Sequence, residues 1–150
     1  MTRKEAQQIL ERIDRLDAKV ERWSKQLSRC KAMVQPMTAG TSMQDVIVQG
    51  GVRSSGAEWD DYLKASAEYD KAVDAYVLHR DTVMAVLDRM EHVMQARVLD
   101  LRYLSRPRMG WVAISKKLHY TERHVYRLNQ EALESFGEEW EKLWGCPTRQ

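Results

Sequence analysis

Ile9, Ile13, Leu16, Val20, Trp23, Leu27, Cys30 and Val34 follow one another at spacings of four and three in strict alternation, and mainly Arg, Lys, Glu, Asp and Gln lie between them. A helix turns once in about 3.6 residues, so it gathers such a series on one side and builds a seam that must bury against a neighbour. A second series repeats the pattern through Trp59, Tyr62, Ser66, Tyr69, Val73, Tyr76, Arg80, Val83, Leu87, Met90 and Met94, with Ser66 and Arg80 as polar interruptions. Two such helices in one chain can cover each other. The expected fold is all-α and begins with a long antiparallel helical hairpin, although the same positions would also serve as core stripes of a compact bundle.

Between the runs, "QPMTAGTSMQDVIVQGGVRSSG" carries four of the seven glycines and one of the three prolines, and it reads as a long loop. Its "DVIVQ" at 45–49 is β-prone but has no second strand to pair with. Ser55 and Glu58 make an S-x-x-E capping box just ahead of Trp59. From Ala57 to Arg106 there is neither Gly nor Pro, so a break is expected only near 91–96. The expected organisation is a heptad helix over 1–35, a loop over 36–56, a second heptad helix over 57–95, a helix-turn-helix over 96–136 and an aromatic tail over 137–150.

Charge is uneven along this plan. The whole chain is only +2, yet residues 1–35 hold nine Lys and Arg against five Asp and Glu, 36–95 hold five against ten, and 96–136 hold eight against four. Two basic ends around an acidic middle suit a polyanionic partner.

The last third supplies a way to read one. "SRPRMG" breaks the helical run at Pro107 and Gly110, and "WVAISKKL" starts a short helix whose Trp111, Ile114 and Leu118 form one stripe. Thr121 then suits an N-cap, with Tyr120 and Val125 spaced for a hydrophobic staple. His119 stands where such a turn usually needs a left-handed residue. Short helix, tight turn and longer capped helix are the parts of a helix-turn-helix. With Val125 set at 0°, Leu128 and Ala132 face inward, whereas Tyr126, Gln130, Arg123 and Arg127 fall between about 100° and about 200°. Arg matches guanine and Gln matches adenine in the major groove, so Arg123, Tyr126, Arg127 and Gln130 are the candidate base readers. Arg106, Arg108, Lys116, Lys117 and Thr121 are the candidate phosphate contacts. A charged solvated bundle surface would show the same basic residues; the added turn, cap and staple favour double-stranded DNA as the partner.

"RVLDLRYLSRPRMGWVAISKKLHYTERHVYRLNQEAL", residues 97–133, resembles the helix-turn-helix of sigma factor region 4. It is more similar still to the ArpU/RinA-like regulators of phages of Gram-positive bacteria, where "RHVYRL" likewise follows a capped turn behind a long charged helical N-terminus. The resemblance implies a phage or prophage DNA-binding protein that regulates transcription of late genes in the cytoplasm of its bacterial host. Glu122, Arg123 and His124 differ in charge order from the sigma pattern, so a standard promoter hexamer is not implied. No polymerase-binding region is recognisable ahead of the motif, and a full sigma factor is not expected. The alternatives are a small-terminase-like DNA-packaging adaptor and a helical protein-interaction module, both compatible with helical pairs.

Chemistry is not expected. The chain has no GxSxG, P-loop or GxGxxG sequence, and His79, His92, His119 and His124 lack metal-ligand spacing. Cys30 and Cys146 form no CxxC pair, and Glu58, Asp60 and Asp61 are first-turn acids of a helix. No enzyme activity, cofactor or metal follows. The charged N-terminus has no apolar leader core, and no run approaches a membrane span. Phe136, Trp140, Leu143 and Trp144 are expected to pack back on the motif, the sharper alternative being a Trp140/Trp144 anchor for host RNA polymerase. A homodimer through the heptad helices would present two recognition helices to a two-part site.

Overall fold

A computed structural model describes residues 1–38 and 52–145. Among the described residues every regular element is helical and no strand occurs, as the periodic runs require. The elements are α1 (Arg3–Thr38), α2 (Val52–Arg89), α3 (Val93–Leu99), α4 (Trp111–Leu118) and α5 (Glu122–Trp144). None of these helices is long and apolar enough to cross a membrane.

Several expected boundaries move. α1 starts on a reciprocal capping box, in which the Thr2 hydroxyl accepts from the Glu5 N–H at 3.2 Å and the Glu5 carboxylate accepts from the Thr2 N–H at 2.7 Å. The Thr2 N–H and the Thr2 hydroxyl, both donating to the Glu5 carboxylate, hold it below its usual range. At its other end α1 continues past residue 35 to Thr38. α2 already begins at Val52, so Ser55 and Glu58 do not mark its start. Ser55 and Gly56 each cost a helix about 1 kcal/mol or less, too little to stop one that the following turns sustain. The β-prone 45–49 segment lies outside the described residues. The chain turns at Met90 to His92, close to the expected break, and His92 enters α3 with extended backbone. Gly137 ends nothing, since α5 runs through it to Trp144 and the expected tail is the same helix. That glycine is buried against Met1, whose side-chain atoms would lie 3.4 Å from an added Cβ.

The chain divides into two units, residues 1–15 with 77–150 and residues 16–76. In the first, Val98, Leu101, Ile114, Leu118 and Val125 form a buried cluster edged by Met94, Met109, Trp111 and Leu128. α3 does not stop at Leu99 but passes into a π-helical turn, Asp100–Leu104, closed by the Ser105 N–H on the Asp100 carbonyl at 2.9 Å. Leu101, Tyr103 and Leu104 of this turn are all buried. Leu10, Ile13, Val83 and Val86 are fully buried in the same unit. His79 Nε2 meets the Ile9 carbonyl there at 2.8 Å.

In the second unit Cys30, Val34, Ala65 and Ala72 are the buried apolar residues among those described. Arg22, Trp23 and Gln26 of α1 share the walls of a cavity of about 360 Å³ with Asp61, Lys64 and Ala65 of α2.

The expected seam of α2 is half right. Tyr62, Tyr69, Tyr76, Val83 and Met90 lie on it and Leu87 is buried as expected, but Ala65, Ala72 and Val86 are buried more deeply than Ser66, Val73 and Arg80. Arg80 is exposed and interrupts nothing. Small side chains let a neighbouring helix come close, so the tightest positions on this helix are not its largest apolar ones.

Candidate nucleic-acid interface

The candidate site starts from a turn. α4 ends at Leu118, and His119 adopts the left-handed conformation at φ 59° and ψ 36° that its place in the sequence called for. The Ser115 carbonyl accepts from both His119 and Tyr120 N–H groups, the second at 3.1 Å, which is how a left-handed cap satisfies otherwise orphan carbonyls. The Ser115 hydroxyl then donates back to the Tyr120 carbonyl at 2.8 Å. Across the turn Thr121 has extended backbone, and its hydroxyl accepts from the His124 N–H at 3.2 Å. The N-cap is therefore as expected. The Tyr120 ring, however, stands edge-on to His124 at 4.7 Å and stays partly exposed, while Val125 is fully buried. Tyr120 takes an aromatic neighbour one position before the expected staple partner.

Behind α5 lie Val125, Asn129, Ala132, Leu133 and Phe136, all buried, whereas Leu128 is only half-buried. The inward face is thus turned toward Asn129 and Leu133 relative to the Leu128-sided face expected. Asn129 is 2% exposed and faces the Tyr103 hydroxyl on the π-helical turn, with no hydrogen-bond partner at its Oδ1 among the described residues. Burial raises the Tyr103 hydroxyl above its ordinary pKa, against the lowering effect of Asn129, Arg102 and Arg108. The Arg102 guanidinium lies 4.4 Å from the centre of the Trp111 ring, and Trp111 meets Tyr126 edge-to-face at 5.7 Å. These contacts therefore fix how α5 is rotated.

On the other side Arg123, Tyr126 and Arg127 are exposed and Gln130 is half-buried, and all four line one open concavity of about 810 Å³. Thr121, His124 and Glu131 complete it, together with Arg3 from α1. Arg127 lies within hydrogen-bond reach of His124 Nδ1, at 3.1 Å. Arg3 is held by Glu134 at 2.6 Å. Sequence spacing could not have found Arg3, because it lies more than a hundred residues away and only the packing of α1 brings it near.

The candidate phosphate contacts divide. Lys116 and Lys117 are exposed in the last turn of α4. Arg106 and Arg108 both grip Asp14 of α1, at 2.6 and 2.5 Å, and Arg108 also donates to the Arg102 carbonyl at 3.0 Å. Those two arginines tie the 105–110 loop to α1. No family model, curated protein or solved structure matches this chain.

Proposed function

We propose that the chain is a phage or prophage DNA-binding protein that regulates transcription in its bacterial host, without catalysis, by laying α5 in a major groove. The observation that carries this reading is the turn between α4 and α5. A left-handed turn and a Thr121 cap join α4 to an α5 whose back buries Asn129 and whose front offers Arg123, Arg127 and Gln130 together. The resemblance of residues 97–133 to ArpU/RinA-like regulators supports the phage setting and the late-gene role. Meetings of Ile9 with His79 and of Trp23 with Asp61 and Lys64 support an antiparallel α1–α2 hairpin as the scaffold. In this reading Lys116 and Lys117 take the phosphates, and Arg106 and Arg108 position the loop.

The test begins with pulldown and sequencing of fragmented phage and host DNA, followed by titration on the enriched duplex and a scrambled one at several salt concentrations. Arg123→Ala or Arg127→Ala should cost about 1 to 3 kcal/mol on the enriched duplex and little on the scrambled one. Lys116→Ala or Lys117→Ala should weaken both alike and lower the salt slope by about one unit. Equal losses on both duplexes for the arginine variants would end the claim of base readout, and no loss at all would end the claim of an interface.

A further inference from the structure

The outward row of α5 does not end at Gln130. With Val125 set at 0°, Glu134 falls at about 180°, so Arg123, Arg127, Gln130 and Glu134 continue one line at spacings of four, three and four. Glu134 is exposed, and a bare carboxylate there would repel a polyanion. Arg3 covers it. Its Nε and Nη2 both donate to Glu134 Oε1, at 2.7 and 2.6 Å, while Nη1 has no hydrogen-bond partner among the described residues. The turn that carries Arg3 is fixed on both sides: Ala6 is fully buried, the Thr2 and Glu5 box caps the helix start, and Met1 lies against Gly137, three residues beyond Glu134. Residues 1–15 and α5 belong to the same compact unit.

From this we infer that Arg3 is a phosphate contact of the DNA interface, delivered by α1 to the far end of the recognition row. The inference rests on α5 lying in a major groove. In that arrangement the first turns of the recognition helix reach base edges. From Arg123 to Glu134 the row runs about 16 Å, more than the groove's width of about 12 Å, so its far end meets the sugar-phosphate backbone. Lys116 and Lys117 stand at the near end, in the last turn before His119. A cation at each end of the row holds the helix in register along the groove. Arg3 and Glu134 are 51% and 52% exposed, and so open a pair is weakly held, which lets Arg3 turn from the carboxylate to a phosphate at little loss. Until DNA arrives, Glu134 keeps the guanidinium at its post.

Titrations of the full chain on the enriched and scrambled duplexes, between about 0.05 M and about 0.2 M salt, test the contact. Arg3→Ala should weaken both duplexes alike and lower the salt slope by about one unit, so that its deficit against the parent shrinks about 3.5-fold across that range. Arg3→Lys should keep the parent's slope. Glu134→Gln should bind at least as tightly as the parent, and adding Arg3→Ala to it should still cost affinity and slope. An unchanged slope for Arg3→Ala, or a loss confined to the enriched duplex, overturns the inference. So does a double variant that binds as well as Glu134→Gln alone, since Arg3 would then only mask an acid. Arg123→Ala and Arg127→Ala, run alongside, keep the two claims apart. If they lose affinity and Arg3→Ala does not, the phosphate contact alone fails; if none of the three loses any, the reading of α5 as an interface fails with it.

Discussion

Between Met1 and Arg15, and from Val77 onward, the two long helices bury Leu10, Ile13, Val83 and Val86 completely; between Leu16 and Tyr76 the same helices bury Cys30, Val34, Ala65 and Ala72 and leave Leu16, Val20, Trp23 and Leu27 half-covered. The heptad pattern is equally regular in both regions. What differs is the number of neighbours: the first unit also holds α3, α4 and α5, and α5 meets the two long helices through Glu134 on Arg3 and Glu139 on Arg89. Periodicity therefore says which side of a helix is covered, and the number of surrounding elements says how deeply. Burial of apolar area supplies most of the folding free energy, so stability should be concentrated in the first unit.

Val83→Asp and Leu16→Asp are the sharpest way to break that contrast, because both sit on expected seam positions. Val83 is fully buried in the first unit, where an unpaired carboxylate and a lost apolar contact should together cost about 3 to 5 kcal/mol. Leu16 is half-buried in the second and can let its new carboxylate reach water, so about 1 kcal/mol is expected. Urea unfolding measures both. Equal losses would show that the second unit is as well packed as the first.

A smaller, pH-dependent effect is expected at His79, which is only partly covered. Burial lowers its pKa below the ordinary 6.5, opposed by the Ile9 carbonyl and reinforced by Arg12 and Arg15. The unfolded chain then takes up its proton before the folded chain does as pH falls. Stability from this group is complete above about 6.5 and declines as pH drops from there toward the lowered folded pKa. Thermal melts between about pH 7.5 and about pH 5 should show the decline, and His79→Gln should flatten it. A variant with the same pH profile as the parent would place the dependence elsewhere.

The all-α class, the left-handed His119, the Thr121 cap and the outward arginines of α5 were legible because each depends on local spacing or on the conformation of one residue. Asp14 was not legible as the partner of Arg106 and Arg108, nor Glu134 as that of Arg3, because such pairs depend on which distant segments pack together. Asn129 was passed over for a related reason. A polar residue on an apolar face looks like an interruption until the Tyr103 hydroxyl opposite is known. The α2 seam misled in the reverse direction, since Ala65, Ala72 and His79 carry little weight in a search for large apolar residues.

The smallest effects are expected at the turn between α4 and α5, where two changes should act with opposite sign. Ser115→Ala removes the hydroxyl that donates to the Tyr120 carbonyl, and the exposed setting limits the cost to about 0.5 to 1 kcal/mol. His119→Gly should be neutral or stabilise by up to about 1 kcal/mol, because glycine meets no Cβ penalty at φ 59° and its greater freedom in the unfolded chain offsets part of the gain. Neither change reaches the core of Val98, Ile114 and Val125, so unfolding should remain a single transition with the same denaturant dependence. The pair also separates the turn from the recognition surface. Ser115→Ala should loosen the angle between α4 and α5 and weaken binding to the enriched duplex, whereas His119→Gly keeps the left-handed geometry and should leave it unchanged. Clear destabilisation by His119→Gly would mean that the imidazole itself holds the turn, and the comparison of a locally encoded turn with a packing-encoded core would have to be redrawn.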